Sequence, residues 1–389
     1  MDFFESSASG KTACIESHYH RHLQRKPHRE RSYDILITHD DIPKKMKWVY
    51  RGESNKFDYW YAIIVNNGMN LGAKTEQLLE GDDYGLVTAG IVTMTSIPDQ
   101  ELDYHYSPSR WSHRMGAQEV IAEHIKNIEK GSKESLWTLE AELEISYGDT
   151  ERQKMDVFHR KDVQKKGAPI FVYFHGGYWQ IKKLGRENSS FMAVPLCNAG
   201  ATVISVGYDL TPDVSMDTII LQVKKAVHLI IKLAKERESR GVYLSGHSAG
   251  AHLAALMLMS SFSDYDAFDS ELIKGAVLVS GVFDVRPLTK TSTNDSLKLT
   301  EEEAWRLSPM SLVDDIAIQS RHRHIIIAVG EYDPPEFRRQ SGEMEKALRD
   351  RGVKTNYIDV PDTDHFNITE KLSEAKYKLT KECIRLMGL

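Results

Sequence analysis

Short, predominantly apolar runs that stop abruptly at glycine or polar residues constrain this chain more than any other feature. Pro169–Phe174 ends in His-Gly-Gly, Thr202–Gly207 is a second such run, and Val242–Ser245, Gly275–Val279 and His324–Val329 follow. Strands apolar on both faces are buried on both sides, as in parallel sheets. Between the runs, Thr218–Glu238 carries Ile219, Val223, Val227, Ile230 and Leu233 on one helical stripe. Strand and helix in alternation build a mostly parallel sheet with helices on both faces. Thr138–Ser146 instead alternates apolar and polar side chains, as a half-exposed antiparallel strand does, and Met155–Phe158 is its hairpin partner. The expected fold class is therefore α/β, with its chemistry just past the carboxyl ends of the strands.

The 389 residues suffice for one such domain and an appendage. Hydrophobic residues at 41% and charged residues at 27% are an ordinary globular balance, and a net charge of −6 gives no electrostatic case for a nucleic-acid partner. Cys14, Cys197 and Cys383 are scattered and odd in number, which excludes a disulfide framework and favours a reducing compartment. Met1–His20 is polar where a signal peptide needs an apolar core, and the segment around Leu253–Met259 is too short to span a bilayer. A cytoplasmic protein is expected, with no membrane partner; nuclear entry stays open because it needs no apolar segment. Before Leu136 the pattern is less regular. His18–Arg31 is rich in His, Arg and Lys, and its histidines 18, 20, 22 and 28, which lack cysteine partners, read as a solvated tail. Tyr33–Thr38 and Asp58–Val65 have the content of strands, whereas Gly68–Gly90 shows no clear periodicity.

The run Val242–Ser245 leads into Gly246-His247-Ser248-Ala249-Gly250, and a helix opens behind it. Strand, G-x-S-x-G turn and helix together form a nucleophile elbow. The tight turn lifts the Ser248 hydroxyl clear of the sheet and sets it at a helix N-terminus, while the glycines avoid collision between strand and helix. The plainer alternative, a helix-capping serine between packing glycines, loses weight because partners for a nucleophile follow downstream.

Upstream, His175-Gly176-Gly177-Tyr178-Trp179 closes the first apolar run. Backbone amides make good preorganised donors to an oxyanion, and glycines admit the substrate close to them. Gly176 and Gly177, with Ala249 from the elbow, are the expected donors, and His175 is expected to anchor the loop by hydrogen bonding. Downstream, His324–Val329 ends in Gly330-Glu331-Tyr332-Asp333, and Tyr357–Val360 leads to Asp364-His365-Phe366. The order Ser248, Asp333, His365 is that of α/β-hydrolases. His365 is the expected base and Asp333 its orienting acid, preferred over Asp284, Glu331, Asp362 and Asp364; the last is expected to be solvated.

His175–Trp179, Gly246–Leu253, Ser280–Asp284, Leu307–Met310, Asp333–Phe337, Asp364–Phe366 and, near the N-terminus, Tyr106–Trp111 together resemble the kynurenine formamidase (arylformamidase) family of α/β-hydrolases. The resemblance divides the chain into an N-terminal extension, 1–103, and a catalytic domain, 104–389. It implies hydrolysis of N-formyl-L-kynurenine to L-kynurenine and formate in tryptophan breakdown, by a cytosolic and homodimeric enzyme with no cofactor and no metal. It also carries the family's Ser, Asp and His onto Ser248, Asp333 and His365. An aromatic amine as leaving group wants flat apolar walls, which Tyr178 and Trp179 are placed to supply, although Trp179 also suits a plain core position. Two rivals remain: a short-chain carboxylesterase of the HGG-motif, hormone-sensitive-lipase-like type, and a catalytically dead hydrolase fold serving as a binding protein.

Overall fold

The computed structural model describes residues 99–161, 166–259 and 270–389, and the backbone of five short strands before them. The chain forms two compact units, Met1–Ile97 and Pro98–Leu389. In the first, β1 (Ser32–His39), β2 (Ile42–Arg51) and β3 (Tyr59–Ile64) make an antiparallel meander. Two of these match expected strands; β2 was not read from the sequence. Strands β4 (Thr75–Gln77) and β5 (Thr88–Gly90) form a separate antiparallel pair. The histidines of the 18–28 segment lie outside the described residues.

The second unit bears out the expected fold class. Its eight strands are β6 (Glu140–Ser146), β7 (Lys154–His159), β8 (Ile170–Phe174), β9 (Thr202–Val206), β10 (Val242–His247), β11 (Ile273–Val279), β12 (His324–Tyr332) and β13 (Lys354–Asp364). They lie in the order β13-β12-β11-β10-β8-β9-β7-β6. From β13 to β9 the pairs are parallel; β7 and β6 add on antiparallel. Strands β8, β9 and β10 are buried at every residue. That burial is why they read as predominantly apolar runs rather than as alternating ones.

The strand order sets the site. From β8 the chain crosses to β9 on one side, then returns to place β10 on the other side of β8. The sheet therefore changes winding direction between β8 and β10, where α/β sheets open a crevice for ligands. Phe174 pairs with Gly246 across that line, so the loops after β8 and β10 leave the sheet at the same level. The helix Met216–Glu236, capped by the Ser215 hydroxyl accepting from the Thr218 amide, buries Ile219, Val223, Val227 and Ile230 of the expected stripe. Among the described residues no helix is long and apolar enough to cross a membrane.

Candidate active site

Ser248 sits between β10 and the helix Ala249–Leu258 with φ of 55° and ψ of −118°. Such strain in a non-glycine residue persists only where the surroundings impose it. Here the Ser248 amide donates to the Val279 carbonyl at 2.8 Å, and its own carbonyl accepts from Ala251 and His252. A side chain on Gly246 would lie 2.2 Å from the Gly250 carbonyl oxygen, and one on Gly250 would lie 2.0 Å from that of Phe174. Thus Gly250 does more than close the turn. It lets the elbow helix rest against the end of β8.

The loop after β8 runs through consecutive left-handed residues, Gly177 (φ 105°), Tyr178 (φ 49°) and Trp179 (φ 58°). The amides of Gly176, Gly177 and Ala249 make no backbone hydrogen bond among the described residues. His175 is fully packed, stacked on Tyr208 at 4.1 Å, with Nδ1 2.8 Å from the Gly176 carbonyl. Burial pushes its imidazole down to about 4, so the ring is neutral and holds the loop. Tyr178 reaches across to donate its hydroxyl to the Tyr106 carbonyl at 2.6 Å.

Asp333 Oδ1 lies 2.5 Å from His365 Nδ1, and both side chains are almost wholly buried. The second oxygen, Oδ2, accepts from the Ser280 hydroxyl at 2.6 Å and the Gly330 amide at 2.7 Å. With both oxygens engaged, the carboxylate cannot rotate away from the ring. The competing acids are occupied elsewhere: Asp284 makes a bidentate pair with Arg286, and Glu331 accepts from the Asp362 amide. Ser248, His365, Gly176, Gly177 and Tyr178 line one cavity of about 240 Å³. Trp179 does not line it. That indole is completely buried, edge-on to His252 at 4.8 Å, so the expectation that it forms a substrate wall gives way to a packing role.

Comparison with known proteins agrees with this geometry. A family model described as the α/β-hydrolase fold matches residues 171–368. Kynurenine formamidase of Danio rerio is 41% identical over 293 residues, covering 75% of this chain and 98% of that protein. The chain belongs to the kynurenine formamidase family. The Salmo salar kynurenine formamidase is 43% identical, covering 74% of this chain and 96% of its own. Among solved structures, one from Silicibacter sp. superposes with a TM-score of 0.60 at 27% identity over 74% of this chain and 99% of that one. A Pyrobaculum calidifontis esterase, at 18% identity and TM-score 0.52 over 71% of this chain and 94% of its own, shares the fold.

In this kynurenine formamidase relative, several residues around the site were not assigned from sequence. Asp364 is not solvated; its side chain is fully buried. Its Oδ2 accepts from Ser112 at 2.6 Å and Arg114 Nε at 2.8 Å, and its Oδ1 from the amides of Phe366 and Asn367. Burial alone would raise this carboxyl, but the Arg114, Ser112 and Asn367 hydrogen bonds bring it down to about 2. Arg114 thereby ties the chain before the first long helix to the loop bearing His365. His247, inside the elbow, lies 4.4 Å from His365 ring to ring and has no partner at Nε2 among the described residues. Burial, with the neighbouring His365 and His124, pushes it well below the usual histidine range, so it stays neutral. The motif Tyr106–Trp111 and the Ser280 position were visible in sequence, but nothing local revealed what they would touch.

Proposed function

We propose that this chain hydrolyses N-formyl-L-kynurenine to L-kynurenine and formate, a step in tryptophan breakdown, with residues 98–389 as the catalytic domain. Ser248 Oγ attacks the formyl carbon and its proton passes to His365 Nε2. The oxyanion takes hydrogen bonds from the amides of Gly177 and Ala249, with Gly176 shaping the loop and offering a third donor. The C–N bond then breaks as the imidazolium returns the proton to the aniline nitrogen. Water, deprotonated by His365, cleaves the formyl-serine ester and releases formate. Asp333 keeps the imidazole in the required tautomer and stabilises its charged form throughout.

One observation carries this reading: the unengaged amides of Gly176 and Gly177 and a carboxylate-held histidine lie in residues that line the same cavity as the strained serine, with Ala249 next to that serine in the chain. The family's name supplies the substrate. A formyl group has only hydrogen on its acyl side, so it demands no acyl pocket. The test is kcat/KM across formyl, acetyl and butyryl groups on one aromatic amine, with the matching esters alongside. A steep fall from formyl is expected, since misplacing the carbonyl by about 1 Å can cost about 100-fold. A flat or rising profile would mark a general carboxylesterase instead. A homodimer in the cytoplasm, or also the nucleus, completes the reading, and sedimentation and cell fractionation test it.

A further inference from the structure

The cavity at Ser248 has a single carboxylate among its described lining side chains, Asp103, and no lysine or arginine. Asp103 lies on the short helix Asp99–His105 and is half-buried. Its Oδ1 accepts from the Ser292 amide at 2.9 Å and from the Ser292 hydroxyl at 3.0 Å. No described residue donates to Oδ2. One oxygen is therefore anchored by two donors while the other stays available beside the cavity, which is how a preorganised cation receptor is built.

The position of Asp103 relative to the reacting atoms follows from Tyr178. Its backbone continues the Gly177 loop, and its hydroxyl donates to the carbonyl of Tyr106 at 2.6 Å. Tyr106 stands three residues after Asp103, next along the same face of the turn. The Tyr178 ring thus spans the gap between the candidate oxyanion amides and the turn that carries Asp103. Burial first, then the charge of Asp103, drives the Tyr178 phenol well above its usual range, in keeping with that closeness. An aryl formamide laid along this ring, carbonyl at Gly177 and Ala249, directs an ortho substituent toward Asp103.

We propose that Asp103 is the specificity determinant for the amino-acid end of the substrate, taking its α-ammonium group on Oδ2; the proposal rests on the formylkynurenine reading above. The α-carboxylate then meets the hydroxyls of Ser109 and Thr293 on the same wall, which have no hydrogen-bond partner among the described residues. The rings of His175 and His247, which also line the cavity, are neutral and therefore place no positive charge there to repel the ammonium.

Asp103→Asn keeps the Oδ1 acceptor for Ser292 and removes the charge. The assay compares N-formyl-L-kynurenine with 2′-formamidoacetophenone, which has the same formamide, ring and ortho ketone but no amino-acid group. We expect kcat/KM on formylkynurenine to fall about 10- to 100-fold, mainly through KM, as for loss of a charged hydrogen bond. Activity on the neutral analogue stays within about twofold, which also certifies the fold. Equal losses on both substrates would assign Asp103 a structural role, and no loss on formylkynurenine would remove it from the site; either overturns the proposal. The wild-type rate on formylkynurenine separates the two readings. A wild type that cleaves the neutral analogue but not formylkynurenine overturns both, whereas brisk wild-type turnover with an indifferent Asp103→Asn overturns only this one.

Discussion

At the residue scale the proposed chemistry depends on side chains held on both sides. Asp333 is fixed by Ser280 and Gly330 on one oxygen and faces His365 with the other. Asp333→Asn should therefore keep the geometry, present the wrong tautomer to Ser248 and lower kcat by about 10⁴. Ser248→Ala should abolish turnover and fluorophosphonate labelling. Asp284→Asn, which disturbs only the pair with Arg286, should keep near-normal kcat, and the reverse ranking of the two Asn variants would sink the assignment. Arg114 makes a different contribution. Without it, Asp364 is a buried carboxylate that keeps its hydrogen bonds from Ser112 and the amides of Phe366 and Asn367 but loses the cation paired with it, so Arg114→Ala should cost about 3 kcal/mol at neutral pH. The Asp364 carboxyl sits at about 2 in the fold against its usual 3.8. Its stabilisation is complete above the usual value and is lost as pH falls toward the folded one. Urea unfolding should show the gap between wild type and Arg114→Ala constant at neutral pH and narrowing below about pH 4. The residues of the elbow and the histidine loop were legible because each stands in a local strand-to-loop pattern. Arg114 and Asp364 were not, because 250 positions separate them and no local pattern links them.

At the element scale, buried strands announced themselves and one long helix did not. The helix Ala117–Thr138 buries Val120 and Ile128, but it also buries His124, Gly131, Ser132 and Ser135 on the same stripe. Those polar and small residues hide an amphipathic pattern. Their reason is tertiary: a side chain at Gly131 would lie 2.7 Å from Phe191 Cβ, and Ser135 donates to the Ser190 carbonyl at 2.7 Å. The β12 and β13 strands run longer than their apolar cores because both continue into the loops that carry Asp333 and His365. Glycines at element junctions give a sharp contrast. Gly250→Ala forces a methyl group into the Phe174 and His175 carbonyls, so it should depress both Tm and kcat by separating the elbow from the oxyanion loop. Gly342→Ala, inside the helix Pro335–Asp350 with nothing within 4 Å, should stabilise by about 0.5 to 1 kcal/mol and leave kcat unchanged. Thermal melts and steady-state kinetics on the two variants decide this, and similar behaviour would refute the packing argument.

At the scale of the whole molecule, the question is where the catalytic unit begins. The regular strand–helix pattern is plain only from Leu136, and the family-like motifs start near Tyr104, yet the compact unit opens at Pro98. The intervening stretch has no strand of the main sheet, which is why hydrophobic pattern alone undervalues it. It nevertheless supplies Asp103 to the cavity wall, the Tyr106 carbonyl to Tyr178, the Tyr106 hydroxyl to Glu336, and Ser112 and Arg114 to Asp364. These contacts are polar and converge on the loops after β8, β12 and β13, so the stretch acts as a brace across the mouth of the site. A chain beginning at Pro98 should therefore fold and keep kcat/KM within about twofold of the full protein. One beginning at Ala117 loses every one of those contacts while keeping Ser248, Asp333 and His365. It should show a lower Tm, a loosened histidine loop and a loss of activity of about 100-fold or more, as expected when a carbonyl or a base is displaced by about 1 Å. Circular dichroism melts and formamide hydrolysis on both truncations make the comparison. A folded Pro98 truncation without activity would mean that residues 1–97 complete the site, and a fully active Ala117 truncation would mean that the brace carries no function.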